Sequence, residues 1–278
     1  NAIKKLQDGR ITLSINEDES FIADSVLIAT GSKPLGYDLA TALGHSITEI
    51  APSLFTFKID DPILENLSGT SFSNATLTLK IENSKPFIQT GALLITHWGL
   101  SGPALLKLSA WAAREMMHAS YKAKIVVNWL SIDNEDEAEK WLKAIKKNNT
   151  KTSIGNAYPK NLTKRFWLQL LKKCSISKEK NWSEISKNEL NQIIENMINC
   201  ELGIVGKSRF KEEFVECGGV NLKEINLRTM ESKICCGLFF SGEVMDIDGI
   251  TGGFNFQSAW TSGWIAGNNM LLNRNNAS

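Results

Sequence analysis

The stretch CGLFFSGEVMDIDGITGGFNFQSAW, Cys236 to Trp260, decides the fold of this chain. Cys236 to Ser241 is apolar on both faces, which predicts a buried strand ending at Gly242-Glu243. After a short acidic loop, Thr251-Gly252-Gly253 leads into a segment expected to be helical to about Ala266. Gly252 and Gly253 can take backbone angles closed to other residues. The helix that follows turns unpaired N–H groups and its positive dipole end towards them. Such a place suits a phosphate, a carbonyl or a flavin ring edge, and Glu243 can accept hydrogen bonds from sugar or ribityl hydroxyls. A solvated loop acid beside a plain glycine turn is the simpler alternative.

A second run of the same kind lies upstream. Ser25 to Thr30 (SVLIAT) reads as a buried strand of a parallel sheet closed by Gly31, and such sheets bind ligands at the carboxyl ends of their strands. Ile11 to Ile15 alternates, Asn16 to Ser20 is a turn-like acidic cluster, and Tyr37 to Leu43 is a short helix stopped by Gly44. From Pro52 to about Leu130, short alternating pieces (LFTFKI, ATLTLKI, KIVVNWL) predict a small antiparallel sheet or barrel, with one helix after Gly102-Pro103. Helical periodicity then takes over in Glu135–Lys147, Asn161–Lys173 and Lys187–Ile198, with Trp141, Phe166 and Trp167 as its expected core.

Composition narrows the function. With 42% hydrophobic and 22% charged residues the chain is globular, and 31 basic against 30 acidic residues leave no global field to hold nucleic acid or an anionic membrane. The apolar run Ala104–Ala113 is interrupted by Lys107 and falls short of the ~20 residues of a membrane span, so no membrane partner is expected. Five cysteines without a C-x-x-C spacing and three scattered histidines give neither a disulfide framework nor a metal site, which fits the cytoplasm. Asp246-x-Asp248-Gly249 opens like a calcium loop, but Gln257 stands where the bidentate acid is needed. Gly218-Gly219 is a close-approach site or a turn, His97 beside Trp98 is expected to be packed, and Cys235-Cys236 buried and inert. Lys146-Lys147, Lys164-Arg165 and Lys172-Lys173 could serve nucleic acid. The acids Glu135, Asp136, Glu137 and Glu139 in the same segment favour an ordinary solvated face.

Three stretches resemble the BaiN/YhiN-like NAD(P)/FAD-dependent oxidoreductases, the aminoacetone-oxidase-type flavoproteins. They are ADSVLIATGSKPLGYDLATALGHSI (Ala23–Ile47), THWGLSGPALLKLSAWAA (Thr96–Ala113) and the text from Glu212 to Gly267. The resemblance implies an α/β FAD-binding domain of the glutathione-reductase type, discontinuous and incomplete, with an inserted β-barrel domain and a helical insertion. Residues 1–51 would be the middle part of the FAD-binding domain, 52–133 the barrel, 134–200 the helical insertion, 201–214 the barrel's return strand and 215–278 the C-terminal part. It implies that Thr30 and Gly31 lie by the dinucleotide, Gly242 and Glu243 by the ribityl and phosphate region, and Asp248, Gly252, Gly253, Phe254 and Asn255 by the flavin. No side chain receives a catalytic role.

The family begins with a strand, a G-x-G-x-x-[GA] turn and a helix, so the chain from Asn1 reads as a fragment lacking roughly a hundred residues. The function implied is FAD-dependent oxidation or reduction of a small-molecule substrate, with NAD(P)H as a possible donor. The alternatives are a flavin-containing module that binds RNA or protein, and a fragment without cofactor.

Overall fold

The structure is a computed structural model, and it describes residues 2–15, 19–207 and 215–275, the last five as backbone. Asn16, Glu17 and Asp18 of the expected acidic turn lie outside the described residues, as do 208–214 at the end of the expected return strand. The chain divides into two compact units, Asn1–Ser53 with Glu213–Ser278, and Leu54–Glu212.

The first unit opens with an antiparallel meander of β1 (Ala2–Lys5), β2 (Ile11–Ser14) and β3 (Ser20–Ala23), which turns Ile3 and Ile11 into the core. Next come β4 (Val26–Ile28), α1 (Pro34–Ala42) and β5 (Ala51–Ser53). Proline at the start of α1 costs no hydrogen bond, because the first N–H groups of a helix have no partner in it.

In the second unit, β6 (Phe57–Ile59), β7 (Ser71–Lys80), β8 (Phe87–Thr96), β9 (Gly99–Ser101), β10 (Ala123–Asn128) and β11 (Cys200–Lys207) close a barrel in the order β10-β11-β6-β9-β8-β7. Every neighbouring pair is antiparallel. Alternation fills the interior: Phe57, Leu77, Leu79, Ile95, Ile125 and Val127 are buried. Between β9 and β10 lie α2 (Pro103–Trp111) and α3 (Ala113–His118).

The excursion between β10 and β11 is helical: α4 (Glu135–Asn148), α5 (Lys164–Lys173) and α6 (Lys187–Ile198). Each begins at a side-chain cap. Asn134 accepts from the Glu137 N–H, Thr163 from that of Phe166, and Ser186 with Glu189 closes a capping box. Phe166 and Trp167 are core as expected, but Trp141 is only half-buried.

The first unit resumes with β12 (Val215–Cys217), β13 (Ile225–Asn226), β14 (Glu231–Ser232), β15 (Leu238–Phe240) and α7 (Phe254–Asn275). β12 pairs β5, and a second sheet runs β13-β14-β15-β4, with β15 and β4 parallel.

Several expectations are corrected. β15 starts at Leu238 rather than Cys236 because Gly237, at φ 83°, forms the turn, where its N–H bonds Glu231 and its carbonyl accepts from Val26. Cys235 is buried but Cys236 is exposed on that turn. His97 is exposed at the β8–β9 turn rather than packed. The last helix runs to Asn275, well beyond Ala266. Among the described residues, no helix is long and apolar enough to cross a membrane.

Candidate flavin-side site

The parallel pair β4 and β15 carries the site, since it brings both carboxyl ends to one edge. Thr30 and Gly31 follow β4, and Ser241 follows β15, with its N–H bonded to the Ile28 carbonyl at 3.1 Å. Gly242, at φ 74°, then starts a single 3-10 turn, Gly242–Val244, that carries Glu243.

Two contacts fix this turn. On one side, a Cβ added to Gly36 in α1 would lie 2.0 Å from Thr30 Oγ1 and 3.1 Å from Val244 Cγ2, so any larger residue would force Thr30 or α1 to shift. On the other, Ser262 of α7 accepts from the Gly242 N–H at 3.0 Å and bonds the Ser241 hydroxyl at 3.1 Å. Thr30, Gly242 and α7 thus form one cluster.

The remaining expected residues form a second cluster, a loop closed on itself. The Asn255 side chain accepts from the Gly249 N–H at 2.6 Å and donates to its carbonyl at 3.1 Å. Asp248 Oδ2 accepts from the Ser53 hydroxyl at 3.0 Å. Gly252 and Gly253 have φ of 119° and 84°, where other side chains are strained, and a Cβ on Gly253 would meet nothing within 4 Å. Gly31, at φ 64°, faces the same kind of open space. The Gly253 carbonyl accepts from the Gln257 N–H, so the N–H groups that follow Gly253 precede the ladder of α7. At a rise of 1.5 Å per residue, the five steps from Phe254 to Ala259, which faces Gly242, put the loop about 8 Å along α7 from the first cluster.

Phe254 is 57% exposed, and Phe256, Trp260 and Trp264 form an exposed aromatic line of their own at four-residue helical spacing.

Inspection of the sequence missed three residues. Gly249 must be glycine because a Cβ would stand 2.8 Å from that of Phe254. Ser262 looked like any small helical residue. Tyr37 is the third: its Oη is buried with no hydrogen-bond partner among the described residues, and burial, then the charges of Glu216 and Glu243, push the phenol up to about 12. An apolar-looking helix gave no sign of it. Gly218 and Gly219 are close-approach positions, but what they approach is the protein's own backbone at Glu49 and Met245.

These residues fit a flavin nucleotide. Gly31 and Gly253 leave backbone facing open space, the first N–H groups of α7 precede its ladder, Glu243 accepts, and the sealed Tyr37 phenol lacks a partner among the described residues.

Comparison with known proteins is consistent with this chemistry. A family model described as the HI0933-like protein barrel and H2TH domain matches residues 51–215, more than half of the chain. The ribosomal RNA dihydrouridine synthase of Escherichia coli is 28% identical over 87% of this chain and 57% of its own length. That of Haemophilus influenzae is 30% identical over 92% of this chain and 62% of its own. The 3-dehydro-bile acid delta(4,6)-reductase of Clostridium scindens is 27% identical over 90% and 63%. The chain therefore spans about three fifths of the length of these curated relatives.

Proposed function

Since the chain belongs to the HI0933-like barrel and H2TH domain family, we propose that its protein is a cytoplasmic FAD-dependent oxidoreductase acting on a small-molecule substrate, with NAD(P)H as the electron donor. In this reading residues 1–51 and 215–278 belong to an FAD-binding domain of the glutathione-reductase type. The observation that carries it is the open backbone at Gly31 and at Gly253, the latter leading into an α7 whose first N–H groups have no helical partner.

When bound, FAD supplies the hydride or electron transfer that no side chain here can perform. The chain's own residues bind and orient. Thr30 and Gly31 border the dinucleotide, and the carboxylate of Glu243 accepts from ribityl hydroxyls. Gly252, Gly253 and the N–H groups at Phe254 and Asn255 favour electron density on a polar ring edge. Asp248 and the Asn255 amide hold that loop in place, while Tyr37 keeps its proton at Oη and has a donor to give. Anaerobic NADH or NADPH should bleach the flavin bands of the purified protein; bands that neither nucleotide affects would remove the nicotinamide donor.

A second reading has support of its own. Two relatives are named as enzymes acting on ribosomal RNA, which favours an RNA base as the group reduced, or a flavin-containing module that binds RNA. Turnover on RNA, against turnover on small enones, separates the two.

A further inference from the structure

We infer that the helical excursion between β10 and β11 holds a single strand of RNA in the groove bounded by α4 and the loop joining it to α5. The inference takes its occupant from the RNA reading above and needs nothing from the flavin cluster, because the groove lies wholly within residues 141–162.

The groove measures about 830 Å³, and Trp141, Asn148, Thr152, Tyr158, Lys160 and Asn161 are among its lining residues. Trp141 and Tyr158 are half-buried, so part of each ring is open to a base. Among the described residues, the exposed side-chain amides of Asn148 and Asn161 have no hydrogen-bond partner, which leaves a donor and an acceptor on each for base edges. Aromatic faces that take unstacked bases, amides that read their edges and cations that take phosphates are what a single strand requires.

Charge supports the same occupant. From Lys140 to Lys178 there are ten lysines and Arg165, and no Asp or Glu. The acids Glu135, Asp136 and Glu137 are confined to the first turn of α4, where they complement its dipole. Several of the cations are spent within the protein: Lys143 on Glu139, Lys172 on Glu65, Lys173 on Asp61, and Lys146 on the Ile185 carbonyl. Lys140, Lys147, Lys151 and Lys160 have no ion-pair partner among the described residues, and each is a lining residue or next to one in sequence.

The groove is also built in advance. The loop wall is fixed from beneath by two buried indoles, with Trp167 Nε1 donating to the Ile154 carbonyl at 2.7 Å and Trp182 Nε1 to that of Ala157 at 2.8 Å. The Ile154 and Gly155 N–H groups bond the carbonyls of Lys180 and Lys178, and a Cβ on Gly155 would stand 2.8 Å from the latter. A fifteen-residue connection so tied loses little entropy when it is occupied.

The test is fluorescence anisotropy of the full chain with a labelled single-stranded oligouridylate over a range of salt. Lys151→Glu with Lys160→Glu should weaken binding at least about tenfold and flatten the log–log salt slope by about 1.4 for two lost phosphate contacts. Tyr158→Ala should weaken it about tenfold and Tyr158→Phe should not, which separates stacking from a loss of folding. Flavin content should be the same in all variants, so loss of RNA with flavin retained fails or succeeds apart from the oxidoreductase reading. Unchanged affinity in the lysine variant would overturn the inference. So would equal binding of a duplex, of the matched DNA strand or of an acidic polypeptide, the last marking a protein-docking face.

Discussion

Asn255 grips Gly249 at both ends of one residue, its amide oxygen 2.6 Å from the Gly249 nitrogen and its amide nitrogen 3.1 Å from the Gly249 oxygen. The loop that presents Gly252 and Gly253 is therefore held by a side chain whose polar atoms are already engaged. Asn255→Ala leaves both backbone groups short of a partner and should cost about 1–3 kcal/mol, read as a lower urea midpoint. Asn255→Asp keeps the acceptor, loses the donor and should fall between. An unchanged midpoint in both variants would show that the loop does not need the clamp.

Tyr37 gives a prediction of opposite sign. A sealed, unpartnered hydroxyl is a cost to the cofactor-free protein, so Tyr37→Phe should leave its thermal midpoint equal or higher. If the phenol serves a bound flavin nucleotide, the same variant should bind FAD about tenfold more weakly in a titration of flavin fluorescence. Equal affinity would take Tyr37 out of the site.

Acid should weaken the first unit through His45. Its Nδ1 lies 3.1 Å from Glu224 Oε2 and its Nε2 2.8 Å from Ser232 Oγ. Burial pushes the imidazole below its ordinary 6.5, and Glu224 offsets this only in part. The unfolded chain then binds the proton more readily. Stability is fully present above about pH 6.5 and is lost as pH falls below it. Burial raises the Glu224 carboxyl, but bonds from Ser46 and His45 outweigh this and hold it below its ordinary 4.5, so a second loss follows below that value. Urea midpoints against pH should show both steps, and His45→Gln should remove the upper one. A flat profile from neutral to mildly acid pH would contradict the assignment.

The packing of α1 on Thr30 can be tested by a double-mutant cycle. Gly36→Ala should cost about 1–3 kcal/mol as an overpacked contact, and adding Thr30→Ala, which removes the nearest atom, should restore part of it. Strict additivity would mean that the two residues do not meet.

What could be read from the letters depended on how local the cause was. The helices α4, α5 and α6 are set by their own periodicity and by caps at Asn134, Thr163 and Ser186, and their expected spans agree with the structure to within three residues. From alternation alone the barrel was open only as a choice between sheet and barrel, and it was the family resemblance that implied a barrel with a return strand. Closure depends on β11 returning to pair with both β10 and β6, a pairing across a long excursion that no window contains. The environments of single residues were the least legible. His97 sits in apolar text but emerges at a turn, Trp141 sits in a charged helix at a core-like spacing but lines a groove, and Cys235 and Cys236 are divided by the turn at Gly237. In the site, the glycine and acid pattern was visible because unusual backbone needs glycine. Gly249, Ser262 and Tyr37 matter through partners distant in sequence or packed in space, which spacing does not reveal.

The most direct test of the account is the visible spectrum and flavin stoichiometry of the purified protein, with Gly252→Val/Gly253→Val alongside. The account predicts flavin bands with one FAD per chain in the parent protein, and loss of both in the double variant with the fold retained by circular dichroism. A parent protein without flavin bands after incubation with FAD, or a double variant that keeps stoichiometric FAD, would contradict it.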